Sequence, residues 1–148
     1  MKVVSRLATG VSLIALLSGA AAAETLYQIE SAELNGLTLF EQVLTESTAV
    51  TVKPQLSTTA TGDVGVLNQC LWSVIVTPGT DPVDLKPGKM ICVGPQQEVL
   101  EATPQGVIEP FGACVDDCTS WSVDGDVQVT MSLSAPLSFS LQPRNERK

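Results

Sequence analysis

Leu71-Trp72-Ser73-Val74-Ile75-Val76-Thr77 is the stretch on which the fold turns. It is rich in β-branched and aromatic side chains, holds no Gly or Pro, and is too short for a free-standing helix, so it reads as a strand. The unbroken Val74-Ile75-Val76 run predicts a central strand covered on both faces, because a half-exposed strand would alternate apolar with polar residues. Pro78-Gly79-Thr80-Asp81-Pro82 follows directly as a dense turn signal.

Reading downstream, Lys86-Pro87-Gly88-Lys89 is a second turn signal, and Met90 to Val93 a strand stopped by Gly94-Pro95. Short strands are expected at Glu98 to Ala102 and at Val107 to Ile108. Val127 to Leu133 alternates, which puts Val127, Val129, Met131 and Leu133 on one face, and Leu137-Ser138-Phe139-Ser140-Leu141 repeats the pattern after Pro136. Upstream, Ala49-Val50-Thr51-Val52-Lys53 reads as a strand ended by Pro54. Gln55 to Gly62 reads as a loop, and Asp63 to Leu67 as a further short strand. Leu37, Phe40 and Leu44 have the spacing of a helical stripe. Asn35-Gly36, between Leu26–Leu34 and Leu37–Val43, favours a hairpin instead. With no internal repeat and no linker, residues 24–143 form a single all-β domain, an antiparallel β-sandwich or small barrel.

The chain begins with a basic segment (Lys2, Arg6), an apolar run from Leu7 to Leu17, and Ala21-Ala22-Ala23 before Glu24. This is the layout of a cleavable signal peptide over residues 1–23. The run is too short to stay behind as a membrane span, for which roughly 20 apolar residues are needed. The expected location is periplasmic or secreted, with no membrane span after cleavage. Residues 144–148 form a charged, mostly basic tail.

An exported chain oxidises its cysteines. Cys70, Cys92, Cys114 and Cys118 allow three pairings. Cys70–Cys92 with Cys114–Cys118 is favoured, the first tying the central strand to the strand after its loop, the second closing a tight turn. A crossed pairing of Cys70 with Cys114 or Cys118 is the alternative. A four-thiolate zinc site is disfavoured by the absence of any C-x2-C pair. A redox role for Cys114 and Cys118 has to contend with a spacer one residue longer than C-x-x-C. Asp116 and Asp117 between them would oppose a thiolate.

The chain contains no histidine. That removes Ser-His-Asp and Cys-His catalysis and imidazole metal ligation. Neither G-x-x-x-x-G-K-[ST] nor G-x-G-x-x-G, the phosphate-binding glycine patterns, is present. No catalytic residue and no cofactor is assigned. The formal net charge of −8 disfavours nucleic acid and anionic lipid and suits a basic protein partner. Asp116, Asp117, Asp124 and Asp126, with Trp121 among them, form the candidate binding cluster. These carboxylates could take Ca²⁺ as hard oxygen ligands, but the EF-hand spacing fails: with Gly125 as the loop glycine, Met131 stands where a glutamate belongs. The bland reading of the cluster is a solvated acidic loop. Trp121 either packs on the neighbouring bridge or serves as an exposed contact residue; Trp72 belongs to the core.

The function expected from these features is an exported, disulfide-stabilised, non-catalytic binding or interaction module. An acidic inhibitor of a basic enzyme and an envelope assembly component are two forms of it. The alternative is an envelope thiol–disulfide oxidoreductase using Cys114 and Cys118.

Overall fold

Strand β6 (Cys70–Thr77) lies in the middle of a ten-stranded antiparallel sheet in the computed structural model, which describes residues 24–55, 58–80 and 83–143. The expected signal segment (1–23) and basic tail (144–148) fall outside the described residues. On one side β6 pairs with β7 (Asp84–Val93), followed by β8 (Val99–Ala102), β13 (Leu137–Leu141), β1 (Tyr27–Glu30) and β5 (Thr61–Gly62). On the other side lie β4 (Thr48–Gln55), β2 (Glu33–Thr38), β12 (Gln128–Leu133) and β9 (Gly106–Ile108). A separate three-stranded sheet has the order β10 (Ala113–Val115), β11 (Ser120–Val123), β3 (Gln42–Leu44). The end strands β5 and β9 do not pair with each other, so the large sheet is not closed into a barrel. Ile29 and Phe139 from one wing, Trp72 and Met90 from the centre, and Val129 and Met131 from the other wing share one buried cluster. The sheet therefore curls over a single core, as strongly twisted sheets of this width do.

The all-β antiparallel class and both favoured bridges are present. Cys70 and Cys92 are direct cross-strand partners on β6 and β7, with Cα atoms 4.0 Å apart. Cys114 and Cys118 close the β10–β11 turn. The alternation of β12 also holds: Val129 and Met131 are buried, while Val127 and Leu133 pack partly against the core.

Five local expectations are corrected. Strand β6 is covered on one face only: Trp72, Val74 and Val76 are buried, whereas Leu71 is 48% exposed and Ile75 half-buried. Ile75 is flanked by Ala49 and Lys86, side chains of its own sheet, rather than by a second layer. Asn35-Gly36 is no hairpin turn and lies inside β2. The glycine is needed for close approach, since a Cβ there would stand 2.5 Å from Val52 Cγ1 and 2.8 Å from the Lys53 carbonyl oxygen. Asn35 Oδ1 accepts a hydrogen bond from Thr130 Oγ1 at 3.0 Å across the β2–β12 pair. The helical alternative fails as well, because Leu37 is in β2 and Leu44 in β3.

Lys86-Pro87-Gly88-Lys89 is a bulge inside β7, not a turn. Gly88 and Lys89 together oppose Ser73, and the register shifts by one between Trp72 and Val74. Pairing with β8 begins only at Met90, so Pro87 sits where β7 has a single partner and its missing N–H is tolerated. Pro54 does not end β4, for the same reason: it pairs with Gly36 on β2, while pairing of β4 with β6 stops at Val52. Lastly, Asp63 to Leu67 is not a strand. Val64–Gln69 is a 3-10 helix, entered through Asp63, whose carboxylate accepts a hydrogen bond from the Gln28 amide at 3.0 Å.

Candidate functional site

The small sheet carries the expected binding residues, and its geometry starts from the five-residue Cys114-Val115-Asp116-Asp117-Cys118 loop. Asp116, Asp117 and Cys118 all take positive φ (53°, 56° and 67°), a left-handed run that Asp tolerates better than most residues. Thr119 closes the turn: its amide and its hydroxyl both donate to the Asp116 carbonyl, at 3.1 and 2.7 Å. The Gly79 amide donates to the Cys118 carbonyl at 2.8 Å, which ties this loop to the β6–β7 connection.

Trp121 stands opposite Cys114 across the β10–β11 pair. Of the two roles open to it in the sequence, the structure shows packing. The side chain is buried, and its indole N–H donates to the Phe111 carbonyl at 2.8 Å. The four aspartates do not converge. Asp116 and Asp117 are at the β10–β11 turn, whereas Asp124 and Asp126 follow the far end of β11. Among the described residues, no group of three or more His, Cys, Asp or Glu side chains could hold a metal ion.

Asp124 and Asp126 instead belong to a different assembly, pinned by Thr38, which is fully buried. The Thr38 hydroxyl donates to the Asp124 carbonyl at 2.7 Å and accepts from the Val127 amide at 2.9 Å. Its own carbonyl accepts from the Asp126 amide at 2.8 Å. The Asp124-Gly125-Asp126 turn is thereby held against the Leu39–Glu41 backbone. Thr38→Val keeps the shape but orphans two backbone groups, so it is expected to cost about 1–3 kcal/mol. Thr38→Ser, which keeps the hydroxyl, is expected to cost less; paired urea melts check the difference.

What this turn frames was not visible as a site in the sequence. Leu39, Phe40 and Val43 are 41%, 58% and 64% exposed, on and beside edge strand β3, with Glu41 and Glu46 exposed among them. In the sequence, Phe40 reads either as one of the three residues of a helical stripe or, with Val43, as part of the Leu37–Val43 hairpin arm. The only hint is that Leu39-Phe40 breaks the alternation that Leu34, Gly36 and Thr38 keep.

Among the described residues, concavities also lie elsewhere. One, of about 500 Å³, is widely open between Glu30, Thr61, Leu133 and Pro136, with Glu30 as its single ionisable group. The other, about 190 Å³, is an apolar groove between Val66 on the 3-10 helix, Val93 at the end of β7 and Pro95 after it. Neither gathers paired acid–base groups.

Residues 2–62, less than half of the chain, match the model of the Golgi pH Regulator (GPHR) family N-terminal region. The described part of that match holds β1 to β5 and therefore includes the Phe40 patch. No curated protein and no solved structure matches the chain. The family similarity corrects the location expected from the sequence: a family named for the Golgi points away from the periplasm and the external medium.

Proposed function

We propose that this chain is a disulfide-stabilised, non-catalytic protein-interaction module whose contact surface is the β3 end. The observation that carries the reading is that Leu39, Phe40 and Val43 are exposed on and beside β3, with the exposed Glu41 among them and the Asp124-Gly125-Asp126 turn against the Leu39–Glu41 backbone. An apolar centre with a charged rim is the anatomy of a protein contact site. The sign of the rim selects a basic partner and speeds its encounter. The framework suits such a role, because β3 is held by β11 and the acidic turn by Thr38; the patch is preformed rather than ordered on binding.

Affinity capture with immobilised wild type and Phe40→Ser protein, from extract of the cells that make it, tests this. Wild type is expected to retain a basic protein that Phe40→Ser binds at least about tenfold more weakly, a loss of about 1.4 kcal/mol typical of a contact hot spot. Recovery of the same proteins in the same amounts by both would overturn the reading.

A further inference from the structure

The two bridges differ in what surrounds them. Cys70 and Cys92 are 1% and 0% exposed, on the buried face of β6 and β7. Cys114 is exposed on β10, an edge strand three residues long, and only its partner Cys118 is buried. The loop between them passes through three consecutive non-glycine residues at positive φ, the last of them Cys118 itself. Asp visits this region at modest cost, but a cysteine there is held against its preference. An accessible sulfur and a constrained backbone mark a bridge that a reductant opens readily, whereas a buried bridge between regular strands resists. The loop also has structural reach. Among the described residues β10 pairs with β11 alone, and Cys114 is the partner of Trp121. The Trp121 indole donates to the Phe111 carbonyl just before β10, and Gly112 lies so close that a Cβ there would meet the indole nitrogen. β11 in turn carries β3.

We infer that Cys114–Cys118 is a redox switch: a low-potential dithiol opens it while Cys70–Cys92 stays closed, and the opening releases β10 from Trp121 and weakens the contact surface at β3. The last part rests on the reading of the β3 end as a contact surface and assigns its regulation. One thiolate of the reductant attacks the exposed Cys114 at Sγ. The S–S bond breaks, and its electron pair leaves on Cys118 Sγ, which takes up a proton. The reductant's second thiol then displaces Cys114 from the mixed disulfide, so the protein gains two thiols and the reductant is oxidised to its own disulfide. With the sulfurs parted, Cys118 is free to leave φ 67°, and its carbonyl, which accepts from the Gly79 amide, moves with it. Only three residue pairs then hold β10, too few to keep an edge strand closed over Trp121. Exposed Asp116 and Asp117 oppose a standing thiolate, so the opened pair is a poor reagent toward other disulfides, and its chemistry suits a switch rather than a catalyst.

Titration of the oxidised protein with dithiothreitol, quenched with iodoacetamide and read by peptide mass, tests the order of opening. Cys114 and Cys118 are expected to be alkylated at a dithiol concentration at least about tenfold below that which opens Cys70–Cys92. In the Trp72→Phe variant Trp121 is the one remaining indole, and its emission should shift to the red over the same range and return on reoxidation. Opening of Cys70–Cys92 first, or of both bridges together, overturns the switch. Opening of Cys114–Cys118 with unchanged Trp121 emission overturns the release of β10. Immobilised Cys114→Ser/Cys118→Ser protein, which is open without reductant, should retain the captured basic protein at least about tenfold more weakly than oxidised wild type. Equal capture, while Phe40→Ser still loses the partner, ends the regulation of the β3 end and leaves the interaction-module reading in place. If Phe40→Ser loses nothing, that reading falls, and the alkylation and emission results decide the switch by themselves.

Discussion

A Cys70→Ala/Cys92→Ala double variant is expected to be about 3 kcal/mol less stable than the oxidised wild type, through a loop-closure term alone. The bridge spans 22 residues of sequence, and cutting it frees that loop in the unfolded chain. Both sulfurs are also buried between β6 and β7, so the alanines add a packing loss on top. For a domain of this size the fall in melting temperature should be roughly 10–15 °C. Cys114→Ala/Cys118→Ala frees a much shorter loop, with a separation of 4, and the same reasoning gives about 2 kcal/mol. Calorimetry of the two double variants checks the order. A larger effect from the short bridge would mean that the β10–β11 turn, not the central pair, anchors the fold.

Trp72→Ala is expected to cost about 3–5 kcal/mol, a large share of a typical domain's stability. Trp72 is 0% exposed at the centre of the sheet, between Val52 on β4 and Met90 on β7. Its indole N–H, however, has no hydrogen-bond partner among the described residues. A buried donor without a partner costs about 1–3 kcal/mol. Trp72→Phe removes that donor while keeping most of the ring, so the loss of volume and the relief of the N–H oppose each other. The variant is expected to lie within about 1 kcal/mol of wild type. Guanidinium melts with unchanged slope would confirm that only stability moved. A Trp72→Phe loss as large as that of Trp72→Ala would show that the nitrogen itself is needed.

The parts of the fold legible in the sequence were those set by short-range chemistry. Alternation placed Val129 and Met131 inside, and the position of Cys70 before the first strong strand and Cys92 in the next led to the bridge. The misread parts share a cause. Asn35-Gly36, Pro54 and Lys86-Pro87-Gly88-Lys89 carry strong turn chemistry, yet each lies within a strand. What decides them is where a neighbouring strand begins or stops, or how close it runs. Gly36 makes room for Val52, and Pro54 and Pro87 fall just outside a second partner's pairing. No local window contains that information. The Phe40 patch was hidden differently, because an exposed aromatic and a core aromatic are the same letter, and only the position of β3 at a sheet edge separates them. Asp124 and Asp126 were singled out for their charge, but their link to Thr38 spans more than eighty residues of sequence.

The brevity of every border strand has a consequence for how this molecule ages in concentrated solution. Fibril growth needs a ribbon of free backbone about six residues long on which further chains can template. None of these borders provides one. Aggregates of the native protein should therefore lack strands templated on these borders and leave amyloid dyes dark.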